Sequence, residues 1–219
     1  LKFPFSLAST SVQALSKGPT RTPKQAPSAS LRVAYRFWEV ASNPAYSVLL
    51  RGVSGAFLVM CLAALHGIDA QRSAHDGEHG GGASSRYFTA FAFNCKRKTS
   101  MPWACPIITF GSCDSWYVPF RTVWGSRDFM FPAVSRGTPL ANASSVLDSM
   151  ASAYMILRFL REIVSLPSVS MSESDAKRLR RHAFRHWIAN IMRILHFDWA
   201  DRFTGGRWKE SGVRRLRFC

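Results

Sequence analysis

The chain has 219 residues, 47% of them hydrophobic, with a formal net charge of +16 and a sequence pI near 10.6. That length can bury the core of one ordinary domain, and the excess of Lys and Arg (29) over Asp and Glu (13) suits a polyanionic partner, either nucleic acid or an anionic membrane face. The 7 Trp, 16 Phe and 5 Tyr exclude a disordered basic tail, which would lack the aromatic side chains that drive folding.

Residues 1–30 form a basic, Pro/Ser-rich arm, and the first acidic residue of the chain is Glu39. Such a composition reads as an organellar transit segment. Pro4, Pro19, Pro23 and Pro27 confine any helix there to short pieces, so an ordered arm would lie across neighbouring subunits. Residues 31–43 read as a short amphipathic helix. Val33, Phe37 and Val40 share one side, Arg32 and Arg36 another, and Asn43-Pro44 ends it.

Residues 44–68 carry the apolar run AYSVLLRGVSGAFLVMCLAALHGI. At about 24 residues it would extend roughly 36 Å as a helix, enough to cross a bilayer. The uninterrupted stretch Gly52–Leu65 is shorter and is also compatible with a helix buried in a protein core. In the spanning arrangement Arg51 sits within snorkelling reach of the interface, and the flanking charge places the N-terminal side in the matrix. Gly52, Ser54, Gly55 and Ala56 mark a face that another helix can approach closely.

The segment SVLLRGVSGAFL resembles the start of the first span in the cytochrome b membrane-anchor subunit of succinate dehydrogenase, complex II. The resemblance implies that Ser47 and Arg51 stand at the serine and arginine that contact ubiquinone in that family. A hydroxyl and a guanidinium at the membrane face could hydrogen-bond a quinone carbonyl. Read without the resemblance, Arg51 is a snorkelling arginine on the anchor helix of an accessory subunit.

Residues 69–86 read as a Gly/His-rich loop. Its HDGEHGGG stretch offers His75 and His79 as metal ligands, with Asp76 and Glu78 between them, but nothing there fixes a geometry, and no metal is expected. Residues 87–140 read as an aromatic, Pro-rich irregular segment with short strand-like pieces. Residues 144–166 read as a helix with Val146, Met150, Tyr154, Leu157, Leu160 and Val164 at helical spacing, stopped by Pro167. Residues 172–203 read as a basic amphipathic helix opened by the Ser172/Asp175 capping pattern. Its Lys177, Arg178, Arg180, Arg181, Arg185 and Arg193 form a candidate lipid- or anion-binding face, with cardiolipin the expected lipid. Residues 204–219 are a basic tail. Cys61, Cys95, Cys105, Cys113 and Cys219 have no zinc spacing and read as buried thiols, with a disulfide among Cys95, Cys105 and Cys113 left open.

No nucleophile elbow, phosphate-binding loop, metalloprotease or dinucleotide motif is present, so no catalytic residue is expected. The sequence therefore predicts a mainly α chain: one transmembrane helix, amphipathic helices, and long extended segments wrapping partner subunits. The expected function is a non-catalytic subunit of a respiratory complex of the mitochondrial inner membrane, complex II first. Accessory subunits of ATP synthase or complex I fit the same composition, and a mitochondrial ribosomal protein binding rRNA is the alternative from another class.

Overall fold

In a computed structural model, the described residues are 31–80, 86–93, 100–108 and 116–169, and, further on, Met171, Ser172, Ser174, Ala176, Leu179, Ala183, Phe184, 186–196 and Asp198. They form an α/β arrangement in which helices surround one central apolar helix and a three-stranded sheet packs beside it.

Helix α1 spans Leu31–Ser42. Val33, Ala34, Phe37, Val40 and Ala41 recur at helical spacing and are all buried, while Arg32 and Tyr35 are exposed. Arg36 and Glu39 pair along its flank. The helix stops before Pro44, where the side chain of Asn43 accepts from the Ala45 amide at 2.9 Å and closes a turn.

Helix α2, Val48–Leu62, occupies the middle of the run that reads as a membrane span. From Leu49 to Leu62 every residue except Arg51 is buried. The covering layer is protein: α2 meets α1 on one side and, on others, the helices and strand β3 that follow in the chain. Among the described residues no helix is long and apolar enough to cross a membrane. Fifteen residues of α2 rise only about 22 Å, short of a hydrocarbon core of about 30 Å. The run then breaks at Ala64, whose φ of 50° leaves the helical region, and restarts as the short α3, Gly67–Gln71. The expected transmembrane helix over 44–68, and with it the inner-membrane location, is thus corrected. A helix that is apolar all round is equally suited to lipid or to a protein core, and here the core surrounds it.

Strands β1 (Ser73–His79), β2 (Tyr87–Ala92) and β3 (Met101–Pro106) form an antiparallel sheet in chain order. In β2 and β3 the alternation is strict: Phe88, Ala90, Ala92, Trp103 and Cys105 are buried, and their neighbours face outward. In β1 the register shifts between His75 and Gly77, leaving Asp76 as a bulge. Two stretches that read as loop and irregular segment therefore contain a sheet. Its buried face rests on helix α4, Tyr117–Trp124. Trp103 stacks on Trp124 at 6.2 Å, and Phe88 lies 5.9 Å from Phe120.

Helices α2 and α4 approach closely because α2 presents glycines. A Cβ on Gly52 would lie 2.3 Å from Val123 Cγ2 and 2.8 Å from the Pro119 carbonyl oxygen; one on Gly55 would lie 2.6 Å from Phe120 Cβ. A second, two-stranded sheet pairs β4 (Pro132–Ala133) with β5 (Leu147–Met150). Gln71 of α3 ties it to the core, its Nε2 donating to the carbonyls of Phe131 at 3.2 Å and Ala151 at 2.6 Å. Helix α5, Ala153–Val164, begins only after β5, with the Ser152 hydroxyl accepting from the Met155 amide at 3.2 Å. Ile156, Phe159, Leu160, Ile163 and Val164 form its buried stripe. Phe184 packs 5.7 Å from Phe37 and 5.6 Å from Phe57, ahead of α6, Trp187–Ile194. Cys61 and Cys105 are buried free thiols.

Candidate functional site

The bulge at Asp76 decides what β1 presents to α4. Along a regular strand, residues three apart point to opposite faces. The extra residue cancels that reversal, so Glu78 joins His75 on the side facing α4. The Tyr117 hydroxyl donates to Glu78 Oε1 at 2.8 Å and lies 3.4 Å from His75 Nε2. Arg86, just ahead of β2, places Nη2 3.9 Å from Glu78 Oε2. The Arg121 guanidinium lies 5.9 Å from the Trp124 ring centre and donates to the Gly125 carbonyl at the end of α4.

Tyr117, Val118, Arg121, Thr122 and Gly125 follow the helical i, i+4 spacing and line an open depression of about 470 Å³, with Glu78 and Arg86 as its other wall. Pro119 sits in the first turn of α4, where a missing amide donor costs nothing. On the other flank of α4, Thr122 also borders a depression of about 400 Å³ lined by Ser47, Arg127, Ser144 and Ser145. Arg127 Nε is 4.0 Å from the Asp148 carboxylate. Guanidinium groups and hydroxyls thus line both sides of one short helix.

Burial, followed by the charge of Arg121, pulls the His75 imidazole below its usual pKa; Glu78 and Asp76 act in the opposite direction. Burial also pushes the Tyr117 phenol up, reinforced by its bond to Glu78 and that carboxylate's charge. Tyr117 is therefore a protonated donor at neutral pH. The guanidinium groups of Arg86 and Arg121 are the cations of this cluster, set against the Glu78 carboxylate, while the Tyr117 and Thr122 hydroxyls already donate to Glu78 and to the Val118 carbonyl.

The residues predicted from sequence have other surroundings. The Ser47 hydroxyl caps α2, accepting from the Leu50 amide at 3.3 Å. Arg51 is half-buried and donates Nε to the Ala41 carbonyl at 3.0 Å. Arg193 is exposed in the last turn of α6, while Lys177, Arg178, Arg180, Arg181 and Arg185 lie outside the described residues. His75 and His79 do not converge on a shared ligand position: His79 Nε2 is 2.9 Å from Thr89 Oγ1, and its ring stacks on Tyr87 at 5.0 Å. Among the described residues no group of three or more His, Cys, Asp or Glu could hold a metal. Sequence reasoning missed Tyr117, Arg121 and Arg127 because Pro119 and Gly125 made their segment look irregular. The i, i+4 spacing of Tyr117, Arg121 and Gly125 was the available signal.

No family model and no curated protein matches the sequence. Solved structures do match. An Flp recombinase–Holliday junction complex has a TM-score of 0.52 at 12% identity, the likeness covering 97% of this chain and 53% of that one. The fold resembles that of Flp recombinase. A Flpe–Holliday junction complex gives 0.51 at 11% identity, covering 98% and 55%, and a mutant Flpe–DNA Holliday junction complex gives 0.51 at 10%, covering 97% and 54%. The chain spans about half the length of the Flp chains it matches.

That likeness overturns the resemblance to the succinate dehydrogenase anchor, which rested on SVLLRGVSGAFL. In the Flp-like fold those residues form a capped helix inside protein. The expected role as a non-catalytic respiratory subunit does not stand, since the structural neighbours are recombinases, and neither does membrane-complex or phospholipid partnership, since those neighbours are held with DNA. The accessory-subunit and ribosomal alternatives go with it. The ubiquinone and cardiolipin expectations depended on the membrane placement.

Proposed function

We propose that the chain is a DNA-binding unit of a recombinase-type protein that grips DNA through its phosphates. The observation that carries this reading is the fold likeness, over 97–98% of the chain, to proteins whose structures are DNA complexes. The net charge of +16 supports it, because each cation that meets a phosphate releases condensed counterions. The anion-binding face read over Lys177, Arg178, Arg180, Arg181, Arg185 and Arg193 keeps its chemistry under this proposal, with DNA phosphate as the anion. Arg86, Arg121 and Arg127 around α4 supply further cations beside hydroxyls of the kind that position a phosphate backbone.

The test is titration of the full chain against a four-way DNA junction, a DNA duplex of the same arm sequence and an RNA duplex of that sequence, each at several salt concentrations. The proposal expects DNA binding with log K falling linearly in log salt and the junction bound at least as tightly as the duplex. Absence of DNA binding at low salt, or tighter binding to the RNA, would overturn it.

A further inference from the structure

The depression beside α4 sets a carboxylate of its own against its cations. Arg121 is held by its own helix, donating to the Gly125 carbonyl beside the Trp124 ring. Arg86 faces Glu78 instead, with Nη2 3.9 Å from Oε2, and the two side chains line the open depression 38% and 44% exposed. That separation exceeds hydrogen-bond length, so charge alone holds this contact. An ion pair of such exposure costs little to exchange, because water solvates each partner once they part.

Two features nevertheless fix the carboxylate in place. The bulge at Asp76 carries Glu78 to the α4 side of the sheet, where a regular strand would have turned it away from His75. The Tyr117 hydroxyl then donates to Oε1 at 2.8 Å, with His75 Nε2 3.4 Å from the same hydroxyl. One carboxylate oxygen is thus anchored to α4 while the other faces Arg86. A carboxylate oxygen and a phosphate oxygen are alternative acceptors for one guanidinium. A phosphate that meets Arg86 directly would make charge-assisted bonds of about 2.7–2.9 Å, shorter than the contact Glu78 makes. The two anions compete for the same donors, and side by side they repel.

We propose that Glu78 is a built-in competitor for DNA phosphate at Arg86. Without DNA its carboxylate takes the position of a phosphate oxygen, and bound DNA displaces it from the guanidinium. The result is an autoinhibitory contact that weakens backbone binding at this depression. A pair that served stability alone would register in a melt and leave the salt dependence of DNA binding untouched. The proposal rests on the DNA-binding reading and adds to it a restraint built into the same surface.

The experiment measures fluorescence anisotropy of the full chain with a labelled DNA duplex at several salt concentrations. It compares the natural chain with Glu78→Gln, Arg86→Gln and the double variant. Gln keeps an acceptor for Tyr117 and removes the charge. Asp76→Asn is the control, removing the same charge from the same strand on the outer face, where Asp76 accepts from the Thr89 hydroxyl at 3.0 Å. None of the three side chains is buried, so folding should persist, and a circular-dichroism melt checks that it does. Glu78→Gln should tighten duplex binding about three- to tenfold at low salt and steepen the fall of log K with log salt by about 0.9, one further phosphate met. Both gains should drop to less than about half in the Arg86→Gln chain, and Asp76→Asn should change affinity less than about twofold. Unchanged or weaker binding by Glu78→Gln, an equal gain with Arg86 replaced, or the same gain from Asp76→Asn would overturn the competitor and leave the DNA-binding reading standing. Failure of both the natural chain and Glu78→Gln to bind the duplex at low salt would remove both.

Discussion

Arg51 donates Nε to the carbonyl oxygen of Ala41 at 3.0 Å, linking the second turn of α2 to the carbonyl end of α1. The last carbonyls of a helix have no partner within it and carry its negative dipole end, so a guanidinium there satisfies both. The charge that looks out of place in an apolar run is a helix-to-helix fastener.

Arg51→Met keeps the stem and removes the donor. It should cost about 1–2 kcal/mol of unfolding free energy, read as a lower urea midpoint with an unchanged slope. A midpoint equal to that of the natural chain would show that the contact contributes nothing.

The α2–α4 contact is set by absent side chains. Gly52→Ala forces a methyl to 2.3 Å from Val123 Cγ2 and against the Pro119 backbone, so the helices must part. The expected loss is roughly 2–3 kcal/mol. Val123→Ala in the Gly52→Ala background should recover part of it, because Val123 is the nearer and softer obstacle. A double-mutant cycle with zero coupling would contradict the close approach.

Stability should fall on acidification through His75. Its folded pKa is lowered, so the unfolded chain binds the proton more readily. The stability it contributes is therefore complete above the unfolded value near 6.5 and is lost as pH drops through the folded pKa. The groups facing it are Tyr117 and Arg121 from α4, with Glu78 and Asp76 from its own strand. Urea midpoints at pH 7.5 and 5.0 should differ more for the natural chain than for His75→Gln, and equal differences would count against this assignment.

If the run at 177–185 meets DNA phosphates, Arg178→Ser/Arg180→Ser/Arg181→Ser should reduce the slope of log K against log salt by roughly 2.7, about 0.9 per phosphate lost. Salt titrations of duplex binding read this directly. A weaker complex with an unchanged slope would place those arginines away from the backbone.

Sequence alone determined the elements whose burial is one-sided. In α1 the buried Val33, Phe37 and Val40 alternate with exposed positions, and that periodicity can be read without coordinates. It also showed an excess of positive charge of the kind that suits a polyanion, and an aromatic content that suits a folded core. Tertiary structure decided the rest. Whether α2 faces lipid or protein is invisible in a helix with no polar side, because either surrounding satisfies it. The strands were hidden by Pro102, Pro106 and a bulge that shifts the period of β1 at Asp76, so Glu78 reaches His75 and Tyr117 only once the register is known. Helix α4 was masked by Pro119 in a turn that tolerates it, and its cations and hydroxyls become one surface only when β1, β2 and α4 pack together. Long-range pairing places these groups, and local periodicity carries no record of long-range pairing.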